Sequence, residues 1–207
     1  MRRAMLVFTA IALAAAGLAF AQSRPAGTRE DAVRSALSSS FASATPEWRV
    51  RLVQDDTQKA CSRYRNAPPK SIADRIMARA RAGIEYPPDG KLMGDWKKGE
   101  ALAQSGYGGR YSDVPPRAEN GGNCYACHQL DGREMSFGTL GPPLTGYGTL
   151  HGFRPQEVKA VYERIFDPNA VIACAHMPRL GASKFLTIRQ IQDLVAYVMA
   201  PESPVNK

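Results

Sequence analysis

The feature that most constrains this chain is a long run, residues 107–153, that is rich in glycine and proline and has little apolar periodicity. A connection of this length is uncommon inside a compact domain unless something other than its own side chains orders it. Near the centre of the run two cysteines and a histidine stand together, in the segment CYACH at 124–128. The run therefore indicates a domain that folds around a group bound at this segment.

The spacing of these residues matches the covalent attachment site of c-type haem. In a helical turn the thiols of Cys124 and Cys127 point to the same side and can bond to the porphyrin edge, and His128 can then coordinate the iron. A thioredoxin-like pair would need neighbouring strand–helix–strand units, and a structural zinc site would need a fourth ligand at a plausible spacing. We therefore predict one covalently attached haem c, whose apolar faces replace the core that the glycine-rich run lacks.

The second axial ligand of the iron is predicted from CAHMPRLG, residues 174–181, which lies between two predicted helices. Met177 is the favoured ligand, because a histidine–methionine pair is the usual ligation of electron-transfer cytochromes c. The neighbouring His176 is the alternative. Met135 follows His128 too closely along the chain to reach the opposite haem face.

The first 21 residues, 1–21, are typical of a signal peptide. Two arginines open the segment, an uncharged run follows, and Ala-Phe-Ala closes it in the small-x-small pattern of a cleavage site. An uncleaved membrane anchor is the alternative, but the uncharged run is shorter than a membrane-spanning helix requires, so no stable membrane insertion is expected. We predict cleavage after Ala21 and a periplasmic mature chain.

The two remaining cysteines, Cys61 and Cys174, are predicted to form a disulfide, because export would place them in a compartment where thiols oxidise. Such a bond would connect the first half of the chain to the segment that carries Met177. An intermolecular disulfide, or a buried unreactive thiol at either position, is the alternative.

Charge and composition exclude some functions. The formal net charge is +8, but the chain has no run of basic residues. Nucleic-acid binding relies on such a basic stripe or patch and is therefore excluded, whereas a modest positive excess suits docking on an acidic protein surface. The sequence offers no nucleophile beside a base and no second metal site, so we predict no catalytic residue in this chain.

The rest of the sequence predicts helices and no sheet, because apolar residues recur at helical spacing and no hairpin pattern appears. Prolines and glycines in EYPPDGKLMG then indicate a boundary, which divides the mature chain into a helical extension, 22–89, and a haem domain, 90–207. The expected helices cover residues 28–41, 45–64, a segment that starts after APPKS with Ile72, Ile76 and Ala80 on one face, 95–106, 155–166 and 187–200.

Taken together, these motifs resemble class I cytochromes c over about residues 90–200. The resemblance rests on the attachment motif, a GPPL segment shortly after it, Met-Pro before the last helix, and terminal helices that meet through Gly99 and Tyr197. It implies an all-α class I cytochrome c fold with an N-terminal helical extension. It also implies that the backbone oxygen of Pro142 supports the iron-binding histidine and that Leu144 packs on the haem.

A narrower resemblance covers most of the mature chain. ACSRYRNAPP, DGKLMGDWKKGEALAQSGYGGRYSD and LTIRQIQDLVAYVMAPESPVN, in this order, are similar to the SoxX family of monohaem cytochrome subunits. In that family the chain pairs with SoxA, and the complex, an L-cysteine S-thiosulfotransferase, oxidatively links thiosulfate to a cysteine of the carrier SoxYZ. The resemblance implies an electron-transfer subunit that passes the released electrons to another cytochrome c.

Two other functions remain open at this point. One is a free-standing periplasmic cytochrome c that carries electrons to a terminal oxidase. The other is a haem enzyme or gas sensor in which the sixth position of the iron opens, against which the adjacent Met177 argues.

Overall fold

The structure, a computed structural model, describes residues 28–113 and 118–207; the predicted signal peptide, residues 1–21, lies outside the described residues. All regular structure in the described ranges is helical, which confirms the predicted all-α class. None of the helices in these ranges has the length and apolar character needed to cross a membrane. The described residues fall into two compact units, 28–53 and 54–207.

The first unit contains helices α1, Arg29–Ser40, and α2, Pro46–Arg49, followed by a 3-10 turn at Val50–Leu52. α1 begins with a capping box: the Thr28 side chain accepts a hydrogen bond from the backbone N–H of Asp31, and the Asp31 carboxylate accepts one from the N–H of Thr28. The predicted helix at 28–41 is therefore confirmed.

The predicted single helix over 45–64 is wrong. After the 3-10 turn the chain becomes extended at Val53, with φ −99° and ψ 116°. Helix α3, Asp56–Arg63, then starts afresh, because Asp55 and Gln58 form a second capping box. The capping box thus determines where α3 starts, although apolar residues continue at helical spacing across the break.

The second unit is built around its last helix. Helix α8, Ile188–Met199, contacts three other helices of this unit, and most of its side chains are buried. Its predicted capping box between Thr187 and Gln190 is present. The other helices of this unit, besides α3, are α4, Lys70–Ala82; α5, Trp96–Gln104; α6, Tyr147–Leu150; and α7, Pro155–Phe166.

The crossing of α5 and α8 depends on a glycine. A Cβ atom at Gly99 would lie 2.0 Å from the backbone oxygen of Asp193 and 2.8 Å from the Cβ of Tyr197. The same Asp193 accepts a hydrogen bond of 2.7 Å from the backbone N–H of Asp95, the N-cap of α5. The expected meeting of Gly99 and Tyr197 is therefore observed, and it fixes where the two helices touch.

The predicted disulfide between Cys61 and Cys174 is present and connects α3 to the segment between α7 and α8. The predicted boundary near residue 90 between an extension and a haem domain stays a prediction. Helices α3 and α4, which precede that boundary, belong to the same compact unit as α5 to α8.

Candidate haem site

The attachment motif forms one tight turn. Cys124–Ala126 is a single turn of 3-10 helix, and the backbone N–H groups of Cys127 and His128 both donate to the carbonyl of Cys124, at 3.1 and 2.9 Å. Asn123, which precedes the turn, has the left-handed conformation, with φ 49° and ψ 41°. Cys124 and Cys127 are not disulfide-bonded, so both thiols are available at one short turn.

The thiol of Cys124 lies in an apolar environment. Cys124 packs against the hydrophobic core, and burial raises the pKa of its thiol to about 12. The thiol is therefore protonated at neutral pH and is a poor nucleophile in this position.

The ring of His128 is held in a defined orientation. Its Nδ1 atom lies 2.7 Å from the backbone oxygen of Pro142, and because a carbonyl oxygen can only accept, Nδ1 carries the proton. The Nε2 atom then keeps its lone pair for a metal. The ring also packs on Gly141, where a Cβ atom would lie 2.2 Å from the ring Cε1. The arrangement fits the role that the resemblance implied for Pro142.

The two candidates for the second axial ligand lie in different environments. Met177 is half-buried and packs against the core, as do Cys124 and Leu144. His176 is exposed. A haem bonded to Cys124 would lie against this same core, so the geometry favours Met177 over His176. The roles of His128 and Met177 as iron ligands stay predictions.

Sequence reasoning missed a buried hydrogen bond that holds the attachment turn. The hydroxyl groups of Tyr125, inside the motif, and Tyr197, on α8, lie 2.7 Å apart. Burial raises the pKa of both phenols, so both are neutral at physiological pH. The sequence did contain one signal for this contact, the aromatic residue Tyr125 between the two cysteines. A haem attachment site does not itself require an aromatic residue there.

The donor set fits haem c. Two unpaired thiols lie on one turn, an imidazole presents Nε2, and a thioether packs against the same apolar core. A structural zinc ion would need a closed set of ligands, and the structure has no group of three or more His, Cys, Asp or Glu residues suited to a metal ion within 28–113 and 118–207.

Comparison with known proteins agrees with this geometry. Residues 117–200 match the model of the family named Cytochrome c. The chain contains a cytochrome c family domain. The cytochrome is also 41% identical over 157 residues to a protein of Aquifex aeolicus (strain VF5) described as an uncharacterized lipoprotein, an alignment that covers 74% of this chain and 73% of that protein. The presence of this domain implies that the cytochrome binds haem c and transfers electrons.

Proposed function

We propose that this cytochrome is a periplasmic, monohaem electron-transfer subunit that works beside a SoxA-type partner in thiosulfate oxidation. The partner carries the sulfur chemistry, and the released electrons pass singly through this chain to another cytochrome c. The resemblance of several long segments to the SoxX family, in one order along the chain, supports the finer assignment.

The observation that carries the electron-transfer function is the pair of candidate ligands. The Nδ1–H of His128 is committed to Pro142, which leaves Nε2 for the iron, and Met177 packs against the core. A haem held by both His128 and Met177 would have no coordination site left for a substrate. A haem bound in this way supplies one-electron transfer, and a methionine–histidine pair raises its reduction potential.

Two observations support an extracytoplasmic location. Cys61 and Cys174 are paired, and structural disulfides persist in oxidising compartments. The relative in Aquifex aeolicus is described as a lipoprotein. Both agree with the signal peptide predicted over residues 1–21.

A surface beside the attachment turn suits a protein partner. The segment after the motif is held alongside it, because the N–H groups of Gly138 and Gly141 donate to the carbonyls of Tyr125 and Cys127 at 2.7 and 2.8 Å. This segment exposes three large apolar side chains. They are those of Met135, Phe137 and Leu140. Exposed apolar clusters mark sites of protein contact, and here contact would bring a partner close to the haem attachment site.

The test is co-expression of the cytochrome with a haem-attachment system and a SoxA-type partner. We expect a complex that survives purification, and reduction of the haem of this chain by thiosulfate when the partner and a SoxYZ-type carrier are present. A protein without a c-type absorption spectrum would contradict the haem assignment itself. A monomer with a normal spectrum, no affinity for the partner and no thiosulfate-dependent reduction would instead indicate a free-standing carrier.

A control variant separates contact from folding. Leu140→Ser, on the exposed segment beside the motif, is expected to weaken the complex with the partner. Met93→Ser changes another exposed apolar side chain, in the connection before α5, and is expected to leave the complex intact. Equal effects of the two substitutions would argue against docking beside the motif.

A further inference from the structure

The segment that carries Met177 is linked to one helix on both sides of that residue. Three residues before it, Cys174 is disulfide-bonded to Cys61 in α3. Two residues after it, the guanidinium group of Arg179 is ion-paired with the carboxylate of Asp55, the N-cap of α3. Helix α3 therefore holds the chain at 174 and at 179, with Met177 between these points.

The anchor points on α3 are themselves fixed. The carboxylate of Asp55 accepts a hydrogen bond of 2.8 Å from the N–H of Gln58, and the Gln58 side chain accepts one of 2.9 Å from the N–H of Asp55. Burial acts to raise the pKa of Asp55, but the Gln58 hydrogen bond and Arg179 hold it below its usual range. The carboxylate is therefore charged at neutral pH and available to Arg179.

A gap lies between part of α3 and this segment. A cavity of about 450 Å³ lies between them, lined on one side by Gln58 and Ser62 and on the other by His176 and Met177. Atoms that face a gap lose the dispersion contacts that would otherwise fix their separation. The disulfide and the ion pair therefore link the segment to α3 directly across this gap.

We propose that α3 anchors the iron-ligand segment, with Asp55 and Cys61 as positioning residues that keep Met177 at the iron. Loosening either link increases the rate at which the thioether leaves the metal. This inference rests on the proposed function, because it takes Met177 as the axial ligand. It goes beyond that function by assigning a ligand-positioning role to a helix that lies outside the family match at 117–200.

The experiment uses the haem-loaded protein and three variants. Cys61→Ser/Cys174→Ser removes the disulfide without leaving a free thiol. Asp55→Asn removes the charge facing Arg179 but keeps an equally good helix N-cap. Asp56→Asn is the matched control, because Asp56 is the next residue of α3 and pairs with Arg79 rather than with the segment that carries Met177.

Three properties report on the methionine: the methionine–iron charge-transfer absorption band, the midpoint potential, and the rate at which carbon monoxide binds the reduced haem. Carbon monoxide can bind only after the thioether has left. We expect the disulfide variant and Asp55→Asn each to bind carbon monoxide faster than the wild type, by about two- to fivefold for Asp55→Asn, because a partly exposed ion pair contributes little. We also expect a weaker band and a lower potential for both, and wild-type values for Asp56→Asn.

The outcomes separate this inference from the proposed function. If the wild-type protein lacks the methionine–iron band, Met177 is not the ligand. That result would count against the proposed site independently of any role of α3. A wild-type protein with the band, and variants that lose stability to denaturant but keep the wild-type band, potential and carbon monoxide rate, would overturn the anchoring role. If the disulfide variant does not fold, Asp55→Asn alone decides the question by the same three measurements.

Discussion

The hydroxyl group of Tyr125 lies 2.7 Å from the hydroxyl group of Tyr197, and this contact joins the middle of the attachment motif to the buried face of α8. Tyr125 also accepts a hydrogen bond of 3.2 Å from the backbone N–H of Asp131. Both rings are buried, and that of Tyr197 is completely so. The attachment turn is therefore held by the core as well as by the haem that it binds.

Removal of the Tyr125 hydroxyl should destabilise the protein more than removal of the Tyr197 hydroxyl. Tyr125→Phe leaves two buried groups without a partner, the Tyr197 hydroxyl and the Asp131 N–H, at a cost of about 1–3 kcal/mol for an unsatisfied group. Tyr197→Phe leaves Tyr125 with its Asp131 partner. In denaturant unfolding of the haem-loaded protein, we expect the double variant to lose less stability than the sum of the single variants. Strict additivity would mean that the two hydroxyls are not coupled.

Gly99→Ala should weaken the crossing of α5 and α8. The added methyl group would lie 2.0 Å from the backbone oxygen of Asp193, which cannot move without displacing α8. Overpacking of this kind costs roughly 1–3 kcal/mol, and a clash with backbone belongs at the upper end. Gly83→Ala is the control, because its methyl group would meet its nearest neighbours at 3.6 Å. Thermal unfolding should show a clear fall in Tm for the first variant and little change for the second.

Gly141→Ala should disturb the ligation of the iron rather than stability alone. A methyl group at this position would lie 2.2 Å from the Cε1 atom of His128, so the ring must leave the orientation in which Nδ1 donates to Pro142. We expect a shifted absorption spectrum and a changed midpoint potential. Gly132→Ala lies in the same glycine-rich run, but its methyl group would approach other atoms no closer than 3.9 Å, so its spectrum should match the wild type. A normal spectrum for Gly141→Ala would show that the ring tolerates displacement.

The stability of the protein should depend on pH through Asp167, which is buried at the end of α7. Burial raises the pKa of its carboxyl, although the hydrogen bond from the Asn169 N–H and the charge of Arg179 act in the opposite direction. The folded state therefore holds the proton more tightly than the unfolded chain. The favourable contribution is complete below the ordinary value of 3.8 and is lost as the pH rises through the raised value.

Asp167→Asn tests this dependence, because the amide cannot ionise and still offers an oxygen to the Asn169 N–H. We expect the variant to be more stable than the wild type at pH 7, with a difference that shrinks as the pH approaches 4. Denaturant unfolding at several pH values measures it. A difference that stays constant over this range would show that the carboxyl of Asp167 does not carry the pH dependence.

Much of the fold could be predicted wherever the sequence contains a clear signal for the start of a helix. Pro155 opens α7 where expected, and the capping box at Thr187 starts α8. The break before α3 was missed, because apolar spacing across Val53 suggested one helix while the decisive signal was the local pairing of Asp55 with Gln58. Capping residues proved more informative there than periodicity.

The residues of the candidate site also differ in how well the sequence predicted them. Cys124, Cys127 and His128 were predicted because their chemistry depends on a fixed local spacing. Contacts between distant parts of the chain left no such signal: Asp55 and Arg179 are 124 residues apart and meet only because the fold brings them together. The Cys61–Cys174 pair was predicted from redox chemistry alone, with no knowledge of the distance that separates the two residues in space.

The disulfide between Cys61 and Cys174 also affects how the protein matures. The two thiols that take the haem, Cys124 and Cys127, lie in sequence between the two that must oxidise, Cys61 and Cys174, which are 113 residues apart. An oxidant that acts on the emerging chain meets Cys61 and both inner thiols before the correct partner of Cys61 has appeared. Haem capture of the inner pair therefore competes in time with oxidation. A cell short of haem would accumulate disulfide isomers, drawn from the three pairings that four cysteines allow, instead of a simple haem-free protein.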